Sequence, residues 1–360
     1  MLKRVIAFGL LACLQVSVTA YASVVPANDA GYVYTGRIDF ANASAPYLSW
    51  PGSSVKARFT GESLSVTLKD DNGKNYFNVI VDGNDSFPFV IEAKQGEHEY
   101  WISNTLGAGE HSVEIYKRTE GEEGGTHFLG IRIDDEARLL APPTKPTRRI
   151  EIYGDSISSG MGNVAPYNAG DSLPRDKNHY VSYGAIAARA LDAELHTISQ
   201  SGIGIMVSWF NFIMPQIYDQ LSAVGNNDSQ WDFSTWTPQV VVINLMQNDS
   251  WLVPDPKRIS PKPTESQIIA AYQAFVSTIR AKYPNAQIIC ALGSMDATKV
   301  GSPWPGYVES AVANLTNQGD DKLSTLVFPF NGYGQHPRVN QHLSNAALLT
   351  QAIKQVTGWQ

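Results

Sequence analysis

Cysteine is almost absent from this 360-residue chain: only Cys13 and Cys290 occur. Cys13 falls in an N-terminal apolar run with the marks of a targeting signal, and the one remaining thiol cannot form an internal disulfide. The core must therefore hold without a covalent staple. Cys290 lies inside Ile288-Ile289-Cys290-Ala291-Leu292, where a lone thiol reads as packing rather than as a nucleophile. No segment after the N-terminal run approaches the length of a bilayer-spanning helix. Paired histidines at metal-ligand spacing are missing too, which argues against a catalytic metal, and no cofactor is expected. Positive charge is in deficit, 27 Lys and Arg against 34 Asp and Glu, for a net charge of −7. Such a chain is a poor candidate for nucleic acid or anionic membranes, and an uncharged ligand such as a neutral polysaccharide fits better.

The first 22 residues read as a signal peptide. Lys3 and Arg4 form a positive start, Val5 to Val18 is mostly apolar, and Ala20-Tyr21-Ala22 supplies a small-x-small cleavage site. This predicts a secreted or periplasmic protein that is not inserted in a membrane. Leu10-Leu11-Ala12-Cys13 loosely resembles a lipobox, so lipoprotein processing at Cys13 is the alternative. Cleavage after Ala22 leaves 338 residues with a net charge of −9, long enough for two domains.

Two halves with different patterning follow. Residues 31–140 alternate short β-rich runs with turns: Val55–Phe59 and Leu64–Leu68 show period two, and Tyr76–Val81 ends at Asp82-Gly83. His111–Tyr116 and Phe128–Ile133 continue the series, which predicts a β-sandwich of jelly-roll type. Residues 141–147, with three prolines, read as a stiff linker. From 148 to 360 five apolar runs appear, at 149–153, 194–198, 240–245, 287–292 and 325–330. Helix-like stretches at 183–191, 265–282 and 341–356 lie between and after them. Strands alternating with helices predict a five-stranded parallel sheet covered on both faces. The proline-rich stretch 253–263 is a long loop and a candidate wall of a site.

In such a sheet the loops after the strands share one rim, where ligands bind. Ser156 follows the first run, Gly202 the second, Asn248 the third and His336 the fifth. Gly154-Asp155-Ser156, Ser201-Gly202, Asn248-Asp249 and His336-Pro337, in that order, resemble the four blocks of the SGNH (GDSL-type) hydrolases. With the preceding β-domain the chain is most similar to carbohydrate esterase family 2, exported enzymes that deacetylate plant polysaccharides. The resemblance implies a serine esterase with an acyl-enzyme intermediate: Ser156 attacks, His336 takes its proton, and Ser156 N–H, Gly202 N–H and the Asn248 amide face the oxyanion.

Two departures from the pattern matter. Methionine stands at 246, where the third block usually has glycine; it is expected to narrow the space or push the loop aside. The aspartate usual two or three residues before the histidine is replaced by Gly334 and Tyr333. As in some family 2 members, this implies a serine–histidine dyad, with a backbone carbonyl, Gly334 being plausible, holding the imidazole. A remote aspartate, Asp255 or Asp296, is the alternative. Asp155 reads as a turn stabiliser, His342 as a helix N-terminal or packing residue, and His196 as core. His98, His111 and His127 belong to the β-domain.

Trp209, Phe210, Trp251 and Trp304 follow the motif blocks or the fourth strand. Trp209, Trp251 and Trp304 are the candidates for contact with a sugar ring. The expected substrate is an acetylated polysaccharide or oligosaccharide such as xylan or glucomannan. A broader lipase, arylesterase or thioesterase, or a non-catalytic glycan-binding protein on the same fold, remain alternatives. An α/β-hydrolase fits less well, because Gly154-Asp155-Ser156-Ile157-Ser158 lacks the final glycine of that nucleophile motif.

Overall fold

Residues 148–154 show how the chain builds its frame. Ile150 and Ile152 pack into one hydrophobic layer and Tyr153 into the opposite one. Glu151 on the second side is fully buried as well. Both faces of this strand are therefore covered, as a parallel sheet between helical layers requires. The computed structural model describes residues 23–223, 229–332 and 334–360. The signal peptide expected over residues 1–22, with Cys13, and the residue Tyr333 lie outside them. Among the described residues no helix is long and apolar enough to cross a membrane.

The first half contains β1 (Ser23–Pro26), β2 (Val33–Thr35), β3 (Ile38–Asp39), β4 (Tyr47–Leu48), β5 (Ser54–Thr60) and β6 (Leu64–Asp70). It continues with β7 (Tyr76–Val81), β8 (Phe89–Glu92), β9 (Gly96–Ser103), β10 (Glu110–Lys117) and β11 (Thr126–Ile133). One antiparallel sheet runs β3-β4-β11-β6-β9, with β1 also on β11, and the other runs β2-β5-β10-β7-β8. The period-two pattern decides which side chains meet between them. Val55, Ala57 and Phe59 of β5 and Leu64, Val66 and Leu68 of β6 share one buried core. This is the sandwich read from the sequence. Its first strand lies before residue 31, pairing Ser23–Pro26 with residues 130–133.

The second half contains β12 (Arg148–Gly154), α1 (Ser156–Ser159), α2 (Tyr183–Ala190), β13 (Ala193–Ser199), α3 (Met214–Ile217) and β14 (Val240–Asn244). It ends with α4 (Gln247–Leu252), α5 (Glu265–Lys282), β15 (Gln287–Leu292), α6 (Trp304–Asn317), β16 (Leu323–Val327) and α7 (Val339–Thr357). The sheet is all parallel in the order β13-β12-β14-β15-β16. From β12 the chain crosses to one side, then to the other, so the carboxyl end of β12 lies at a topological switch point. Helix α5 buries Ile268, Tyr272, Phe275, Val276 and Ile279 on one face of the sheet. Its start is fixed by a capping box between Thr264 and Gln267. Helices α2 and α7 pack together over the other face. Cys290 is fully buried in β15, and burial pushes its thiol up to about 12, so it stays protonated.

The two halves are joined by charge as well as by apolar contact. Arg37, at the end of the turn before β3, reaches into the second half. It donates to Glu151 Oε1 at 2.8 Å, Tyr153 Oη at 2.9 Å and the Tyr218 carbonyl at 2.6 Å. Both charged side chains of this pair are fully buried. Arg37→Met would strand the Glu151 carboxylate without its cation. Equilibrium urea unfolding should show a loss of about 3–5 kcal/mol, with much of it recovered when Glu151→Met is added.

Candidate active site

The nucleophile turn begins where β12 ends. Gly154 has no room for a side chain: a Cβ there would overlap Ser158 and come within 3.4 Å of the Asn244 carbonyl. Asp155 caps the short helix α1, its Oδ1 accepting from Ile157 N–H at 3.0 Å. Asp155 is thus the turn stabiliser its position suggested. Ser156, the first helical residue, turns its hydroxyl to His336: Oγ lies 2.8 Å from Nε2. Residues 180 positions apart have met at one rim.

The imidazole is held by a carboxylate from a third segment. Its Nδ1 lies 3.0 Å from Asp171 Oδ2, and the same oxygen accepts the His336 backbone N–H at 2.8 Å. With Nδ1–H donated to a carboxylate, Nε2 is left as the acceptor for the serine proton. This corrects the expected dyad: Asp171 takes the role assigned to the Gly334 carbonyl. Neither remote aspartate serves. Asp255 accepts from Lys257 N–H, and Asp296 is engaged by Gln247 and the indole of Trp251. Burial alone would raise the Asp171 carboxyl. The hydrogen bond and charge of His336, with Arg338 beyond, outweigh it and hold that carboxyl well below the usual range.

Arg338 fixes the loop that brings Asp171 in. Its guanidinium donates to the carbonyls of Gly162 at 2.8 Å, Ala169 at 2.9 Å and His336 at 3.1 Å, and lies 3.5 Å from Asp171. The sequence offered no spacing rule for Asp171, since it lies 165 positions from its partner in a polar loop.

Gly202 adopts φ +85°, a conformation that glycine alone takes without strain. Asn248 is oriented from both ends: Oδ1 accepts from Trp209 Nε1 at 3.1 Å, and Nδ2 donates to the Ile203 carbonyl at 2.8 Å. One amide hydrogen remains for a substrate oxygen. Asp249 steadies the intervening loop by accepting the N–H groups of Ile205, Met206 and Val207. Met246 does not narrow the cleft, which it does not line. It takes φ +86°, a left-handed conformation more usual for glycine, and buries its side chain in the core. The strain, about 1–2 kcal/mol, is set against that burial.

Ser156, Gly202, Asn248 and His336 line one open cleft of about 250 Å³, together with Trp209 and Trp251. Trp209 is 49% exposed, with the Arg258 guanidinium 5.0 Å from its ring. Trp304 is not on the cleft. At 7% exposure it opens α6 and packs edge-on against Tyr307 in the core, so its expected substrate role is withdrawn. Its place at the start of a helix, where Val308, Ala311 and Leu315 recur at helical spacing, is the signal that marks it as core.

His342 lies within α7, fully buried, stacked on Tyr183 and accepting its N–H at 3.0 Å. Burial, helped by His336, pushes its pKa down to about 3. His196 stacks on Trp236 with ring centroids 3.6 Å apart. His179, which the sequence did not single out, bridges Tyr116 of the sandwich and Thr197 of β13. His336 is the histidine that reaches the nucleophile.

Comparison with known proteins places both halves of the chain in known families. Residues 34–143 match the carbohydrate esterase 2 N-terminal family, and residues 152–353 match the GDSL-like lipase/acylhydrolase family. An acetylxylan esterase / glucomannan deacetylase of Cellvibrio japonicus is 31% identical over 97% of this chain and 98% of its own. The cellulase/esterase CelE of Acetivibrio thermocellus is 35% identical over 91% of this chain, which spans 40% of that protein. A family two carbohydrate esterase from Clostridium thermocellum, solved with cellohexaose, superimposes with a TM-score of 0.83. It shares 34% identity and covers 92% of this chain and 100% of its own.

Asp171→Asn should lower kcat by about 10²–10⁴-fold with KM little changed, whereas Asp255→Ala should stay within about twofold; steady-state kinetics on an acetyl ester separates them. Burial pushes the Asp155 carboxyl up to about 7 from 3.8. The folded chain then keeps a proton that the unfolded chain releases, so this group costs stability as pH rises from about 4 to about 7. Asp155→Asn, relative to wild type, should be more stabilising at pH 8 than at pH 5 in denaturant titrations.

Proposed function

The chain belongs to carbohydrate esterase family 2 and is a carboxylic ester hydrolase, and we propose that it is exported and removes O-acetyl groups from plant polysaccharides such as xylan and glucomannan. The observation that carries this reading is the relay Asp171–His336–Ser156 opening onto a cleft beside an exposed tryptophan. His336 Nε2 takes the Ser156 proton as Oγ attacks the acetyl carbonyl. The oxyanion is met by the N–H groups of Ser156 and Gly202 and by the free Asn248 amide hydrogen. Collapse expels the sugar hydroxyl, which leaves with the proton from His336, and the acetyl group stays on Ser156. Water then attacks with the same base, and acetate departs.

Asp171 matters in the first step because the imidazolium formed there is stabilised by an adjacent carboxylate. The exposed Trp209 offers a flat apolar face of the kind that sugar rings stack on. An excess of acidic residues sets no penalty on a neutral polysaccharide.

The test is acetate release from acetylated xylan and from acetylated glucomannan, beside p-nitrophenyl acetate and longer acyl esters. Wild type should release acetate from the polymers and favour acetyl over octanoyl esters by at least about tenfold. Ser156→Ala should lose about 10³-fold or more. Glycan binding with turnover equal in both proteins would replace the enzyme by a binding protein. A preference for longer acyl chains would replace the deacetylase by a broader esterase.

A further inference from the structure

A residue of the sandwich domain reaches the back of the catalytic cleft. Between β10 and β11 the chain makes a tight 3₁₀ turn, Gly121–Glu123, and Glu120 immediately before it is fully buried. Its carboxylate accepts the Ser201 N–H on Oε2 and the Ser201 hydroxyl on Oε1, both at 2.5 Å. Ser159, the last residue of α1, pairs its hydroxyl with Ser199 Oγ at 2.8 Å, at the end of the neighbouring strand β13. Ser201 directly precedes Gly202, and Ser159 lies one turn beyond Ser156. One carboxylate of the sandwich domain thus holds Ser201, the residue before Gly202, by both its N–H and its hydroxyl.

The charge on Glu120 is kept in place by Lys177. The buried ammonium lies 2.8 Å from Glu120 Oε1, 2.5 Å from Glu123 Oε1 and 2.9 Å from Glu122 Oε2. These three carboxylates come close enough to suggest a cation site, but the lysine already supplies the cation. Burial would raise the Glu120 carboxyl; Lys177 and the serine hydrogen bonds hold it below its ordinary value. An ionised acceptor binds an N–H more firmly than a neutral one and in a narrower geometry.

We propose that Glu120 is a positioning residue for ester hydrolysis: by clamping Ser201 it aims the Gly202 N–H at the developing oxyanion, so the sandwich domain is part of the active site. The inference rests on the esterase reading, because it takes Gly202 as an oxyanion donor. It gives the N-terminal domain a task at the reacting centre that needs no glycan bound to that domain.

The test combines kinetics on p-nitrophenyl acetate with hydrogen–deuterium exchange of the peptide containing Ser201 and Gly202. Glu120→Gln, which leaves Lys177 paired with Glu122 and Glu123, should lower kcat by about 10–100-fold and change KM by less than about threefold. Exchange at Ser201 and Gly202 should quicken while the unfolding midpoint of the protein stays within a few degrees. Ser201→Ala, which removes one arm of the clamp, should cost less. The double variant should be no slower than Glu120→Gln alone, because both changes act through one contact. A folded Glu120→Gln with wild-type kcat and wild-type exchange would overturn the proposal, as would losses that multiply in the double variant. If Glu120→Gln does not fold, Ser201→Ala loosens the same clamp from its other side and carries the same two readouts. A wild type no more active than Ser156→Ala would sink the esterase reading, while the exchange data would still decide whether Glu120 holds the loop.

Discussion

The 2.8 Å hydrogen bond between Ser156 and His336 depends on a chain of constraints that begins with strand direction. Because β12 to β16 all run one way, every loop that follows a strand opens on the same rim. Ser156, Gly202 and Asn248 arrive there from the three adjacent strands β12, β13 and β14. His336 cannot, since it follows β16 at the far edge. The eleven residues between β16 and α7 must run back along the rim, and α7 then crosses the sheet face to rest on α2. Packing of that last helix therefore governs the position of the base.

Buried ions do a second kind of work. Arg37 enters the second domain to meet Glu151, while Lys177 of the second domain meets Glu120 and Glu123 of the first. Stripping these groups of water costs several kcal/mol each, which their attraction returns only when the geometry is kept. An apolar interface tolerates small slips. These crossings do not, because a displaced carboxylate leaves a bare charge behind. The two halves, so different in pattern, are thus locked in register, and one of the crossings lies directly behind the cleft.

Much of this was legible in the residues. Period two in Val55–Phe59 and Leu64–Leu68 marked sandwich strands, and the apolar runs at 149–153 and 240–245 marked the parallel sheet. The order Ser156, Gly202, Asn248, His336 placed the site at one rim. Illegible were the groups whose role comes from another loop. Asp171 stands among prolines, glycines and polar residues with no periodicity to give it away. Glu120 and Lys177 look like solvated charges until the interface closes over them. Trp304 was misread because an aromatic after a strand looks the same whether it faces a cleft or begins a buried helix. Met246 shows the converse: its backbone takes a left-handed conformation that a methionine does not announce in the sequence.

Arg338 has a consequence for how such a chain can vary. It grips the carbonyls of the loop carrying Asp171 and that of His336 with a single side chain. The acid and the base therefore share one mounting, although they descend from distant stretches of the polypeptide. Lengthening or shortening residues 162–171 would tilt the imidazole even with every catalytic side chain intact. Among descendants of this protein, that loop and the segment leading into the final helix are bound to drift in concert or not at all.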